Sequence, residues 1–203
     1  MSNYTQENRH ASIATPLGKD KLLLKGLTGA ERVSALFEYK LRLQSADLNI
    51  DPDTILGKDA TITIENPLKE GGKRYINGIV AAFGQSDVQD ELAEYSAILV
   101  PKLWLATLTK DSRIFQKKTA KQILETIIKE DTKIANFSDS VMHAGTTVRE
   151  LCLQYDETDF AFISRLMEEE GIYYYFEHSD GKHTLVLCDG PNAHSPVSEA
   201  TTV

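Results

Sequence analysis

Three acidic residues fall close together at Asp156, Glu157 and Asp159, and paired carboxylates of this kind could act as general acid and base in a cleft. Acids that precede a helical pattern more often cap the helix and interact favourably with its dipole. Asp156 in particular interrupts one helical pattern and can cap the next. We therefore expect these acids to be capping groups, and no general acid or base is assigned.

The histidines and cysteines are the candidate metal ligands. His178 and His183 lie near each other in the sequence, on either side of a predicted hairpin turn, and Cys188 ends the second strand of that hairpin. Two ligands do not complete a zinc site. We expect both histidines to be exposed. We expect Cys152 and Cys188 to be small core residues of a chain that folds in a reducing compartment.

The sequence contains neither a G-x-S-x-G nucleophile motif nor a phosphate-binding loop, because no Lys follows the glycines at the required spacing. We predict no catalytic, cofactor-binding or metal-binding residue and no cofactor.

Two clusters have more than one interpretation. The aromatic run Tyr173–Phe176 could be a platform for carbohydrate, but a strand buried on both faces explains it more simply. The acids Glu168, Glu169 and Glu170 occupy a last helical turn, where they oppose the helix dipole. They are either a solvated face or the partner of a basic surface, and the sequence does not separate these two interpretations.

Composition excludes several classes of partner. The 203-residue chain has a formal net charge of −8, which argues against nucleic acid because phosphate binding requires clustered Lys and Arg. Residues 147–170 contain seven acids and two bases, a net charge of −5. The polar N-terminus predicts no signal peptide, and no apolar run is long enough for stable membrane insertion.

The first half of the chain has the pattern of an antiparallel barrel or sandwich. The predicted strands are residues 21–24, 37–44, 60–65, 74–83, 91–100 and 113–116. Residues 70–73 predict the turn of a hairpin. Gly78, inside a strand, predicts a bulge or a close approach of two backbones.

Helical signals follow. Thr119 and Gln122 form a capping box ahead of an apolar face, whose members are Ala120, Ile123, Leu124, Ile127 and Ile128. Residues 131–145 look irregular. A second capping box, Thr147 with Glu150, predicts another helix that would turn Leu151, Cys152 and Tyr155 inward.

A third helix carries the apolar stripe Phe160, Ile163, Leu166 and Met167, and Gly171 is suited to end it, with Ile172 against Met167. Residues 172–177 and 184–187 then predict a hairpin around the turn at residues 179–182. Because a single hairpin is not stable alone, it must extend the first domain, pair with another chain or begin a second domain. Residues 189–203 resemble a loop or linker.

These segments together resemble one protein family. The string RELCLQYDETDFAFISRLMEEEGIYYYFEHSDGKHTLVLCD, residues 149–189, is similar to the N-terminal hub region of VgrG proteins, the spike proteins of type VI secretion systems. The matches continue in LTGAERVSALFEYKLRLQS, RYINGIV, LVPKLWLAT and SRIFQKKTAKQILE. The resemblance extends from about residue 22 to residue 196.

The resemblance implies an α+β, mainly β fold: an antiparallel, tube-protein-like barrel, then a helical segment, then the first hairpin of a second barrel. The expected domains are a polar segment (1–19), the first barrel (20–116), a helical connector (117–171) and a truncated second barrel (172–203). Full members of the family continue beyond this point into an oligonucleotide/oligosaccharide-binding-fold domain and a β-helical spike.

The implied function is structural, not enzymatic. The full-length protein would form a homotrimer that caps a tube of stacked ring proteins, contacts baseplate components and effectors, and is ejected from the cytoplasm by sheath contraction. The subunit interface is not identified by the sequence. A contractile phage tail hub or late-control protein is the alternative within this class. A carbohydrate-binding or hydrolytic domain is the alternative outside it.

Overall fold

The computed structural model describes residues 4–65, 72–89 and 91–191. They divide into two compact units. The first contains the chain up to Trp104 together with Phe176–Thr184, and the second contains Leu105–Tyr175 together with the residues from Leu185 onward. The predicted mainly β, antiparallel fold class with few helices is confirmed. The predicted four-part domain division stays a prediction.

The first unit is built on a six-stranded antiparallel sheet with strand order β1-β4-β5-β6-β3-β2. Its strands are β1 (Ala11–Ala14), β2 (Leu23–Ala30), β3 (Glu38–Ser45), β4 (Asp59–Glu65), β5 (Lys73–Gln89) and β6 (Leu92–Val100). In β3 the odd-numbered residues from Tyr39 to Leu43 are buried and the charged residues between them are exposed, the alternation that the sequence predicted. The predicted pairing of β4 with β5 is confirmed, although residues 66–71 of their turn lie outside the described residues.

One side chain near the N-terminus, Gln6, joins the two edge strands of this sheet. Gln6 Nε2 donates to the carbonyl of Ile13 in β1 at 3.0 Å, and Gln6 Oε1 accepts from the backbone N–H groups of Ile13 at 2.8 Å and Leu24 in β2 at 3.1 Å. Arg9 Nη1 donates to the Leu24 carbonyl at 3.3 Å. A glutamine amide therefore takes the place of a backbone ladder between β1 and β2.

We expect Gln6→Ala to lower the free energy of unfolding by about 1–3 kcal/mol, because it leaves buried backbone groups of Ile13 and Leu24 without these partners. Urea denaturation measures the loss, and hydrogen exchange of the Leu24 amide should accelerate. Gln116→Ala, at an exposed position of another strand, is the control and should change stability by less than about 0.5 kcal/mol. Equal effects of the two substitutions would contradict this role of Gln6.

The second unit contains a two-stranded ribbon and two helices. Its elements are β7 (Lys110–Thr119), α1 (Ala120–Glu125), a π-helical turn (Thr126–Asp131), β8 (Phe137–Val141), β9 (Val148–Thr158) and α2 (Asp159–Glu170). The capping box of Thr119 and Gln122 is present, and the predicted apolar face of α1 and the π-helical turn is buried. Gly171 ends α2 in the left-handed region, as predicted, and Ile172 N–H donates to the Met167 carbonyl at 2.8 Å.

The helix predicted from Thr147 is wrong, because this segment is strand β9, paired antiparallel with β7 over nearly its whole length. Cys152 and Gln154 are buried, whereas Leu151 and Tyr155 are exposed. The true period is therefore two residues, and the ladder with β7 outweighs the local capping signal. Residues 117–171 thus contain strands as well as helices, and β8 lies in the segment predicted to be irregular.

The predicted hairpin is present as β10 (Tyr173–Ser179) and β11 (Lys182–Cys188), with Gly181 at φ 69° in its turn. The hairpin is not isolated, since β11 pairs in parallel with β8 and makes a three-stranded sheet in the order β10-β11-β8. The tip of the hairpin, Phe176–Thr184, belongs to the first unit.

Candidate functional sites

The most completely paired polar cluster lies in the second unit around Arg113. Arg113 and Gln154 face each other across the β7–β9 ribbon, and Asp159 is the first residue of α2. Arg113 Nη2 lies 2.6 Å from Asp159 Oδ1, and Gln154 Nε2 donates to the same oxygen at 2.8 Å. Arg113 also pairs with Asp111 and Asp131. The buried Asp159 carboxylate is thus held by a cation and an amide.

The two neighbouring acids pair with different cations. Asp156 lies 2.8 Å from Lys110 and is largely exposed, and Glu157 lies 2.8 Å from Arg165. The expectation that Asp156 caps the helix is wrong, because Thr158 Oγ1 accepts from the Ala161 N–H and is the cap. The three carboxylates that could have formed an acid–base pair are therefore each bound to a separate arginine or lysine.

The expectation that His178 and His183 are exposed is also wrong. His183 is 3% exposed in the first unit. Its Nδ1 lies 2.8 Å from Asn77 Oδ1, and its Nε2 accepts from the Lys102 N–H at 3.0 Å. His178 Nδ1 accepts from the Asn77 N–H at 3.1 Å. One signal for this site was present in the sequence, the polar residue Asn77 inside strand β5.

Metal-ligand geometry is not found among the described residues, where no three His, Cys, Asp or Glu side chains are grouped to hold an ion. Cys152 and Cys188 are both buried free thiols. Within the described part of the chain, the helices are all too short or too polar to cross a membrane.

The acids at the end of α2 pair with arginines of the same chain. Arg149 of β9 binds Glu169 at 2.8 Å and Glu170 at 2.5 Å, and Arg165 lies 3.5 Å from Glu169. The hydrogen bonds that Arg149 donates to Glu170 and Glu169 raise its pKa. Of the two interpretations that the sequence left open, neutralisation by a basic surface holds for Glu169 and Glu170, and this chain supplies that surface itself.

The aromatic run of β10 is partly buried. Tyr174 is buried in the second unit, and burial raises the pKa of its hydroxyl to about 12. Tyr173 and Tyr175 are half-buried, and Tyr173 donates to the Gly190 carbonyl at 2.8 Å. Phe176, in the first unit, packs edge-on against Phe37 with ring centroids 5.2 Å apart. This arrangement is closer to a buried strand than to an open platform for carbohydrate.

One face of the β7–β9 ribbon carries a row of exposed apolar side chains, which we call the ribbon row: Ile114, Leu151, Leu153 and Tyr155. Ile114 and Leu153 are cross-strand partners, and strand alternation places Leu151 and Tyr155 on the same face. Tyr155 is 74% exposed and Ile114 is 63% exposed. Contiguous apolar surface of this kind marks interaction sites more often than catalytic ones.

The sequence profile of the family described as phage tail baseplate hub (GPD) matches residues 30–203. The type VI secretion system spike protein VgrG1b of Pseudomonas aeruginosa PAO1 is 39% identical over 97% of this chain and 26% of its own length. VgrG1a of the same strain is 40% identical over 93% of this chain and 29% of its own length. The chain therefore spans about a quarter of the length of these relatives.

A solved structure has the same fold. The E. coli c3393 protein, described as a component of the type VI secretion system with structural similarity to the T4 bacteriophage tail proteins gp27 and gp5, superposes with a TM-score of 0.75. It is 25% identical in sequence, and the match covers 86% of this chain and 50% of that one.

Proposed function

We propose that this chain, which belongs to the phage tail baseplate hub family, is a structural part of the spike of a type VI secretion system. The observation that carries the proposal is the match to spike proteins over nearly the whole chain, together with the shared mainly β fold. The site geometry supports a structural role, because the polar clusters are internally paired ion networks.

In its finer form, the proposal is that the protein containing this chain assembles as a homotrimer. The trimer caps a tube of stacked ring proteins, contacts baseplate components and effectors, and leaves the cytoplasm when the sheath contracts. A contractile phage tail hub is the second candidate, favoured by the name of the matched family. Release of the tube protein into the medium from cells without an induced prophage would favour the secretion-system spike over the phage tail hub.

We infer that a second copy of the chain covers the ribbon row in this trimer. Five of the large apolar residues that are exposed in the described structure lie on β7 and β9: Ile114, Val148, Leu151, Leu153 and Tyr155. At ~25 cal/mol for each Å² removed from water, burial of such side chains is a sufficient source of binding energy for a subunit contact.

We expect the paired change Leu151→Ser and Leu153→Ser to weaken trimerisation of the full gene product at least about tenfold. The melting temperature of the monomer should stay nearly unchanged, because exposed side chains add little to folding. Light scattering over a concentration series measures the trimer. Val33→Ser with Leu48→Ser, exposed apolar positions of the first unit, is the matched control and should leave the trimer intact.

The possible outcomes separate the two parts of this proposal. A wild-type gene product that stays monomeric at micromolar concentration contradicts the hub assignment. A wild-type trimer that the ribbon changes do not weaken contradicts only the ribbon contact. In cells, the same variants should reduce the amount of tube protein found in the culture medium.

A further inference from the structure

We propose that the tip of the β10–β11 hairpin (Phe176–Thr184) is an acid-released latch on the first unit, because each of its two histidines accepts a backbone N–H through an unprotonated ring nitrogen. The latch consists of His178, His183 and the strand residue Asn77. It is independent of the proposed assembly function.

The hydrogen bonds of Asn77 fix the state of His183. The Asn77 amide donates to Thr61 Oγ1 at 2.8 Å and to the Ala60 carbonyl at 3.3 Å, so its Oδ1 is the atom that faces His183. His183 must therefore donate from Nδ1 to this oxygen, which lies 2.8 Å away. The other ring nitrogen, Nε2, has no proton and accepts from the Lys102 N–H.

His178 is bound in a similar way by a backbone donor. Its Nδ1 accepts from the Asn77 N–H, which places the proton of the neutral ring on Nε2. In both rings, the nitrogen that would be protonated in acid already accepts a hydrogen bond from a backbone N–H. A proton added there would point at that N–H, so the hydrogen bond that holds the tip would be lost.

The packing around the rings gives a charged imidazole little compensation. Phe37 lies 5.1 Å from His178 and 6.0 Å from His183, measured between ring centroids, and the two imidazoles are 6.2 Å apart. Charge on one ring therefore opposes charge on the other. Loss of the tip would expose the buried Phe37 and the buried amide of Asn77.

Four charged groups face the two rings. Glu31 Oε1 lies 3.5 Å from His178 Nε2 and favours the charged form of His178. The same Glu31 carboxylate also accepts from the Tyr39 hydroxyl at 2.5 Å and lies 3.9 Å from Arg74. Lys102 disfavours a charged His183, and Asp59, which lies 3.1 Å from the Lys102 ammonium, opposes that effect. Glu31 makes His178 the weaker sensor, and His183 is the stronger one.

The direction of the pH dependence follows from burial. Burial, the His178 charge and Lys102 lower the pKa of His183 to about 4, and burial lowers the pKa of His178. A histidine whose pKa is lower when folded than when unfolded stabilises the folded state fully above its ordinary pKa of about 6.5. That stabilisation is lost as the pH falls from about 6.5 to about 4, and no more is lost below that range.

The test is hydrogen exchange of the full chain between pH 7 and pH 4.5, corrected for the intrinsic exchange rate. We expect protection of the tip, residues 176–184, to fall roughly 30- to 100-fold while protection of the central strands β5 and β6 is kept. An equal loss of protection in β5 and β6 would show global acid unfolding and would overturn the latch.

Two substitutions replace the histidines with amides, which keep a hydrogen-bond acceptor for the backbone N–H groups but do not titrate. His183→Gln can place Oε1 near the Lys102 N–H, and His178→Asn can place Oδ1 near the Asn77 N–H. With both changes, the fall in tip protection should shrink to less than about threefold. His143→Gln, the same change at an exposed histidine, should leave the full pH response.

A measurement on the unmodified chain covers the case in which the double variant does not fold. NMR titration of the imidazole nitrogens should show His183 neutral at pH 5.5, with its proton on Nδ1. A His183 ring that is already charged at pH 5.5, or that carries its neutral-state proton on Nε2, would overturn the latch.

Discussion

Replacement of Arg113 by methionine should lower the free energy of unfolding by about 3 kcal/mol. The substitution removes the cation that lies 2.6 Å from Asp159, whose carboxylate is 3% exposed. Breaking a buried ion pair on one side costs about 3–5 kcal/mol, because the remaining charge has been removed from water and has lost its partner. Arg113 is itself 25% exposed, which places the expected loss at the lower end of that range.

The remaining contacts of Asp159 do not replace the guanidinium. Gln154 still donates to the carboxylate, but this neutral amide also loses Arg113, whose Nε donates to Gln154 Oε1 at 3.0 Å. Removing the negative charge of Asp159 as well should restore much of the lost stability. We therefore expect Arg113→Met combined with Asp159→Asn to be more stable than Arg113→Met alone.

Chemical denaturation of three variants separates this explanation from a general effect of charge. Lys110→Met is the matched control, because Lys110 is also a cation of β7 paired with an acid from β9, yet both partners are mostly exposed. Such a surface pair contributes at most about 1 kcal/mol. Equal losses for Arg113→Met and Lys110→Met would contradict the buried-charge explanation.

The features that the sequence predicted correctly in the second unit depend on close neighbours. The capping box at Thr119 requires only Gln122, and the end of α2 requires only Gly171 and the residue after it. Hydrogen bonds between residues three to five positions apart form with little dependence on the rest of the fold. For that reason these boundaries could be identified from the sequence alone.

The features that the sequence did not predict depend on distant partners. The capping signal at Thr147 is as good locally as the one at Thr119, but β9 forms a ladder with β7, about forty residues earlier. The burial of His183 depends on Asn77, 106 residues away, and Arg113 pairs with Asp159 across 46 residues. Spacing along the chain gives no information about such pairs, so the polar sites could be recognised only in the folded structure.

Gly78 is an intermediate case. Its position in a predicted strand indicated either a bulge or a close approach of two backbones, and the structure shows the close approach. A Cβ atom added to Gly78 would lie 2.6 Å from the Val100 carbonyl oxygen and 2.9 Å from Leu99 Cγ. Real Cβ atoms essentially never come so close to other heavy atoms. The irregularity of the β5–β6 ladder falls slightly later, between Val80 and Ala82.

We expect Gly78→Ala to lower the free energy of unfolding by about 3 kcal/mol. Overpacking of a core costs about 1–3 kcal/mol, and the cost should be near the upper limit here because one obstacle is backbone. The Val100 oxygen cannot move freely, since Val100 is paired with Ile79 in the ladder and is buried. The stabilisation that alanine usually gives by restricting the unfolded chain, about 0.4–1 kcal/mol, is too small to compensate.

Gly84→Ala provides the matched control within the same strand. A Cβ atom at Gly84 would meet no heavy atom within 4 Å, so the only remaining effect is the restriction of the unfolded chain. Thermal and urea denaturation should therefore show Gly84→Ala unchanged or more stable by about 0.5 kcal/mol, and Gly78→Ala clearly less stable. If both substitutions raised stability, β5 and β6 would not be as close at Gly78 as the structure indicates.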